Sequence, residues 1–420
     1  MKIVYNGFYL LRIFEGWSRL LDLNKVYGQI TALGSYQTER ARGIAAALGV
    51  ADEQISHVSQ DIEAFARKID NATTSWLVAM HTGEHPFTVF GPVVAPESYT
   101  ILSTDGSQIC PDRHAPHHSL LINIGRVSIG YGDFHGYAFN SEPTLFFDER
   151  DVMRRFGGEE REVSGGVLGA LRQKMEAEAL SDMIEGCAEK PAVALVDGTL
   201  ILWNLETNPD RLNRLKEGDL KKESFASFMK LIGDAKNSSM PLAGYISSPG
   251  SSDVVNALRV SLCAAEPVDC DKCPHEKAGF EGPPPCAKIN GVTDAALFKR
   301  LLRPGERSAL FESGSQILKA YNGETVLFFY LNAGVEIARV ELPLWVGRDK
   351  AMVELVHGVC LDQAEKGAGY PVAIAEAHEQ AVVKAADKQL FDQLVSRAMI
   401  KAGAQVIESR KVLRKRGGFI

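Results

Sequence analysis

Two β-rich runs, separated by a further strand-like run and one long helical stretch, constrain this chain more than any other feature. SYTILSTDGS ends in Asp105-Gly106-Ser107, and AVALVDGTLILW carries Asp197-Gly198-Thr199. Between them lie LLINIGRVSIGYG and then GGVLGALRQKMEAEALSDMIEGCAEK, Gly165 to Lys190, which reads as a single helix. Strand, strand, helix, strand is an α/β pattern. In each run a β-rich apolar stretch is expected to bring an aspartate to its end, followed by glycine and a hydroxyl. Asp-Gly between apolar runs is also a strong hairpin signal, and VALVDGTLIL fits that template, with a strand expected over Val193 to Trp203.

The helix between the two aspartates offers Glu176 and Glu178. They fall on opposite flanks of its apolar stripe, so periodicity does not choose between them; Glu176 is preferred, with Glu178 as the alternative. Three converging carboxylates would need cations, because unit charges about 4 Å apart repel by roughly 4 kcal/mol at an effective dielectric near 20. Mg²⁺ or Mn²⁺ suits such hard oxygen donors. Two such ions about 4 Å apart could activate water and hold the leaving oxygen of a phosphodiester. Near the C-terminus, GAGYPVAIAEAHEQAVV supplies Tyr370 and, about two turns into a helix, His378, a candidate ligand or proton carrier.

With 420 residues the chain has room for roughly two to three domains. A net charge of −7 excludes coating of nucleic acid by bulk attraction, so any polyanion must find local basic patches. Candidates are Arg211 to Lys222, Lys299 to Arg307 and the tail carrying Arg410, Lys411, Arg414, Lys415 and Arg416, each with a solvated helix face as the plain alternative. The loop RHAPHH, beginning at Arg113, reads as a polar loop near DNA rather than a metal cluster. Seven cysteines do not suggest a secreted disulfide framework, so the cytoplasm is the expected compartment. Residues 1–20 read as an extra N-terminal helix or an upstream start, and no apolar run suggests a membrane span. A helical N-terminal region is expected over 21–95, the main body over 96–402 and a basic tail over 403–420. A Cys-rich insertion falls at about 263–291.

The motifs TDGSQICPDRH, LINIGRV, ALVDGTLILW, GYISSPGSSDVVNALR, FFYLNAGVEIARVELPLWV and GYPVAIAEAHEQAVV, in this order, resemble those of NurA-family nucleases, RNase H-like partners of the HerA hexameric DNA translocase. The resemblance runs from about Leu21 to the end and implies an RNase H-like mixed sheet flanked by helices. It implies metal-binding aspartates at Asp105 and Asp197, the helix glutamate at Glu176 or Glu178, and the family's tyrosine and histidine at Tyr370 and His378. It further implies a manganese- or magnesium-dependent nuclease, 5′ to 3′ on DNA ends and endonucleolytic on single strands. A two-fold dimer docked on HerA and working in end resection completes that picture. Arg339 and Glu341 of ARVELP fall in a family motif, with an ion pair within the sheet and a substrate contact both open.

Cys263, Cys270, Cys273 and Cys286 form C-x6-C-x2-C-x12-C. Thiolates at this spacing suit a structural Zn²⁺ or an iron–sulfur cluster, with unligated reduced thiols as an equal alternative. No Walker A or dinucleotide fingerprint occurs. Two other classes stay open: a sugar-kinase or actin-like ATPase, whose phosphate loops also use Asp-Gly-Thr turns, and a catalytically silent adaptor for a DNA motor.

Overall fold

The computed structural model describes residues 23–110, 118–203, 209–276 and 282–404. At its centre lies β1 (Tyr99–Ile109), followed by β2 (Leu120–Tyr131) and β3 (Tyr137–Phe146) as an antiparallel meander. Helix α1 (Gly165–Gly186) then carries the chain to β2's opposite side of β1, where β4 (Ala192–Asp197) adds in parallel to β1. Helix α2 (Leu220–Asn237) leads to β5 (Leu242–Ile246), parallel to β4. The resulting order β3-β2-β1-β4-β5, a meander followed by two parallel crossovers, is the RNase H-like topology. Beyond β5 the sheet continues antiparallel through β7 (Ile337–Pro343), β6 (Val326–Asn332) and the short strands Phe311–Ser313 and Ala79–His81.

Strand alternation divides the interior into two layers. Ile101, Val193 and Leu195 face one side, packed by Val353, Val356 and Val359 of α3 (Lys350–Lys366) and Ala373, Ile374 and Ala377 of α4 (Val372–Ala381). Leu102, Ala192 and Ala194 face the other, packed by Ala177 and Leu180 of α1 and Phe228 and Leu231 of α2. Strands buried on both faces are apolar at every position, which is why AVALV reads as a continuous apolar run. Helix α2 begins cleanly because Asp219 accepts from the Lys221 amide, and α3 because Asp349 accepts from Ala351 and Met352.

Several sequence expectations need correction. Asp105 does not end its strand. β1 runs on through Gly106 and Ser107, paired with Ile124 and Asn123, because β2 continues alongside after β4 has stopped. Asp197 ends β4, but Gly198–Trp203 does not extend it as a strand or return as a hairpin. Buried Glu341 captures the Thr199 hydroxyl (2.7 Å) and the Leu200 amide (2.8 Å), turning the chain away from the ladder. The described part of the expected helical region 21–95 is not helical throughout either. After Tyr27–Val58 and Ile62–Asp70 the chain forms Ala79–His81 and Val89–Phe90, drawn out by edge pairing to Phe311–Ser313 and Arg307–Ser308. Residues 1–20, Arg113 and the rest of the RHAPHH loop up to residue 117, and the tail cations Arg410, Lys411, Arg414, Lys415 and Arg416 lie outside the described residues.

Candidate active site

Asp105 and Asp197 stand side by side because of strand register. β1 and β4 are parallel, with Thr104 opposite Val196, so the next residue on each strand is an aspartate. Parallel neighbours in register lie about 4.8 Å apart and point their side chains to the same face. That face is the one covered by α4, and α4 supplies a partner to each. His378 Nδ1 sits 2.8 Å from Asp105 Oδ2, and the Tyr370 hydroxyl, just before α4, donates to Asp197 Oδ1 at 2.9 Å. The Tyr370 ring packs edge-on against Tyr245 of β5, with centroids 5.9 Å apart.

Close seating of α4 on the sheet makes these contacts reachable. At Gly125 of β2 a Cβ would collide with the Ala377 carbonyl oxygen of α4, so only glycine admits the helix at this depth. Asn123 anchors the helix end, donating its amide to the carbonyls of Gln380 (3.0 Å) and Ala381 (2.7 Å). Ser107 donates its hydroxyl to the Ala381 carbonyl as well.

Glu176 enters from the other side of the sheet. Its helix is tied to β1 by the Thr104 hydroxyl, which donates to the Glu176 carbonyl at 3.2 Å. The side chain fills the notch left by Gly106, where a Cβ would overlap Glu176 Oε1. Arg172, one helical turn earlier, brings Nε to 3.1 Å from that oxygen and donates from NH1 to Gln108 Oε1 at 3.0 Å. Glu178 points elsewhere, paired with Lys174 at 3.0 Å and accepting from the Ser227 hydroxyl of α2 at 2.8 Å. Of the two glutamates, Glu176 is the one that faces the aspartates.

Burial pushes the Glu176 carboxyl up to about 7; Arg172 lowers it, while Asp105 and Asp197 raise it further. Asp197 is also raised, first by burial and then by the Asp105 charge, against the lowering effects of the Tyr370 hydroxyl and His378. Tyr370 is raised by burial and by Asp197 beside it. The three carboxylates thus feel one another through a poorly solvated gap. Glu176 Oε1 is buried without an aligned hydrogen-bond donor. Hard anionic oxygens, an under-satisfied buried carboxylate and a glycine notch fit a divalent cation in donor chemistry and in space.

Among the described residues, no group of three or more His, Cys, Asp or Glu side chains is arranged to hold an ion as it stands. Cys263, Cys270, Cys273 and Cys286 do converge, lining one cavity of about 190 Å³ with Trp76 and His275, and all four are free thiols. The expectation of Zn²⁺ or an iron–sulfur cluster there gains no support from this arrangement. Burial first, and then the nearby thiol groups, raise the Cys270 pKa.

Sequence reasoning missed Arg172, although the i, i+4 spacing to Glu176 was a readable signal. It also left Arg339 and Glu341 open. The structure makes them a buried ion pair at 2.9 Å, with Arg339 NH1 2.8 Å from Asp253. Their alternation in ARVELP, which puts both on one face of β7, was the available clue.

Fold and site together define an α/β protein of RNase H-like topology, with an acidic centre where its middle parallel strands meet. The NurA domain model matches residues 99–383, and the chain belongs to that family. Among solved structures it is similar to the NurA nuclease from Sulfolobus solfataricus, at 12% identity, covering 84% of this chain and 98% of that one, with a TM-score of 0.48. It is also similar to a NurA bound to dAMP and manganese, at 11% identity, covering 93% and 99%, with a TM-score of 0.40. Comparison with curated proteins returns no match. Membership of this family displaces the sugar-kinase and actin-like reading.

Proposed function

We propose that this chain is a metal-dependent deoxyribonuclease, with Asp105, Glu176, Asp197, His378 and Tyr370 as its working residues. The observation that carries the reading is the adjacency of Asp105 and Asp197 on in-register parallel strands, with Glu176 reaching them through the Gly106 notch. Asp105, Glu176, Asp197 and His378 would hold one or two Mn²⁺ or Mg²⁺ ions. Such ions supply Lewis acidity toward a phosphoryl oxygen and lower the pKa of bound water. Tyr370 orients Asp197 by donating to Oδ1, and His378, half-exposed beside Asp105, is placed to pass a proton at Nδ1. Arg172 balances the excess of negative charge at Glu176.

The family relationship supports the finer parts of this reading: 5′ to 3′ exonuclease and single-strand endonuclease action, a homodimer, and partnership with a HerA-type hexamer in end resection and repair. Arg113 and the tail cations Arg410, Lys411, Arg414, Lys415 and Arg416 would add DNA contacts. No helix among the described residues is long and apolar enough to cross a membrane, and the cysteine usage fits a cytoplasmic setting.

The test incubates labelled single- and double-stranded DNA with Mn²⁺, comparing the wild type with Asp105→Ala and Asp197→Ala. Each substitution should abolish cutting while circular dichroism and melting stay near wild type. Undiminished cutting by either variant refutes the site, and a wild type that never cuts favours the silent adaptor.

A further inference from the structure

The basic run Arg211 to Lys222 folds into something more specific than a solvated helix face. Residues Met153–Phe156 and Glu159–Glu162 form a two-stranded hairpin, whose tip, Gly157-Gly158, leans on the start of α2. The fully buried carboxylate of Asp219 clamps the two together. It accepts from the amides of Gly157 (3.1 Å), Gly158 (2.7 Å) and Lys221 (3.1 Å). Between hairpin and helix lies a cavity of about 380 Å³, lined by Arg161, Arg211, Arg214 and Lys221 with the Phe156 ring.

Four cations around one concavity is an unusual concentration in a chain of net charge −7. Neighbouring carboxylates are mostly engaged elsewhere: Glu223 with Arg154, Glu217 with Lys222, and Asp219 with the backbone. Glu159 pairs with Arg161 at 2.7 Å at the exposed rim. Among the described residues Arg214 and Lys221 form no ion pair, and Lys221 Nζ sits 5.0 Å from the centre of the Phe156 ring. The backbone that carries them is anchored by their buried neighbours Leu212 and Leu220.

The pocket opens at the right end of the molecule. A helix joining parallel strands runs antiparallel to them, so α2 begins at the end of the sheet where β4 delivers Asp197. The same reasoning puts the start of α1, and the hairpin just before it, at that end. From Gly165 to Glu176 the helix rises roughly 16 Å at about 1.5 Å per residue, a few nucleotides of strand.

Resting on the nuclease reading, we propose that this pocket is a phosphate-backbone site for a DNA strand several nucleotides from the acidic centre. The contacts are to phosphates rather than bases, so they carry affinity without sequence preference. The experiment measures anisotropy of a labelled 20-nucleotide single strand in EDTA against salt, for the full chain and for Arg214→Ala/Lys221→Ala. Loss of two phosphate contacts should lower the salt slope by about 1.4 and weaken binding on the order of tenfold near 0.1 M salt. Arg214→Lys/Lys221→Arg should restore both. With Mn²⁺, hydrolysis of a dinucleotide too short to span the two sites should be unchanged in the double alanine variant.

An unchanged slope and affinity would overturn the proposal, as would displacement of the strand by millimolar inorganic phosphate at constant ionic strength, which would assign the pocket to free anions. Failure of the wild type to hydrolyse the dinucleotide or the 20-nucleotide strand with Mn²⁺ would sink the nuclease reading instead. The slope change would then still locate a strand-binding pocket.

Discussion

Glu176 shows how one residue ties stability to chemistry. Its carboxyl is pushed up to about 7, above the ordinary glutamate value, so the folded chain binds a proton that the unfolded chain releases between about pH 4.5 and 7. Its contribution to stability is therefore full below that window and lost as pH rises through about 7. With the side chain still about a quarter exposed, the loss is at most about 3 kcal/mol. Urea unfolding in EDTA at pH 5 and pH 8 should show this decline in the wild type and a reduced decline in Glu176→Gln; equal slopes would refute the assignment. Asp197, raised in the same direction, leaves some residual decline in the variant. Asp105, Asp197, Tyr370 and His378 were legible as candidates in the sequence, but the choice of Glu176 over Glu178 was not. Both flank the same apolar stripe, and only the notch at Gly106 and the engagement of Glu178 by Lys174 and Ser227 separate them.

At the scale of elements, two glycines allow two helices to approach β1 and β2. Gly125→Ala would drive its methyl into the backbone of α4, which cannot yield like a side chain, so we expect a loss of about 1–3 kcal/mol in urea unfolding together with reduced cleavage. Gly106→Ala meets Glu176 Oε1 and the Cγ and Cδ of Arg172, side-chain atoms that must shift while the backbone stays in place. Stability should hold within about 1 kcal/mol while cleavage collapses. A Gly106→Ala variant that cuts normally would remove Glu176 from the working set. The loop after β4 depends on Glu341 in a similar way. Glu341→Ala would strand buried Arg339 and free Thr199 and Leu200, destabilising by about 3–5 kcal/mol in the same assay. Helices and strands here were readable from apolar spacing, but their ends were set by partners. β1 outlasts its expected end because β2 accompanies it, and β4 stops short because Glu341 takes the next hydrogen bonds.

For the whole molecule, the cation is expected to act as a ligand of the folded state alone. Free Mn²⁺ at 100 times its dissociation constant should add about 2.7 kcal/mol to the wild type and raise its melting temperature, with no such rise in Asp105→Asn/Asp197→Asn. EDTA should end cleavage and added Mn²⁺ should restore it, while an equal thermal shift in the double variant would place the ion elsewhere. Sedimentation should return twice the monomer mass if the homodimer expected of the family forms. By itself the sequence determined the α/β class and the family and marked the two aspartates as candidates, because those follow from local alternation and from short motifs that survive in order along the chain. Tertiary structure alone decided that Glu176 rather than Glu178 faces the two aspartates, that four cysteines line one pocket, and that a dispersed set of cations becomes one basic cavity. Each of these depends on contacts between segments far apart in the chain, whose distances and register no local pattern of residues encodes.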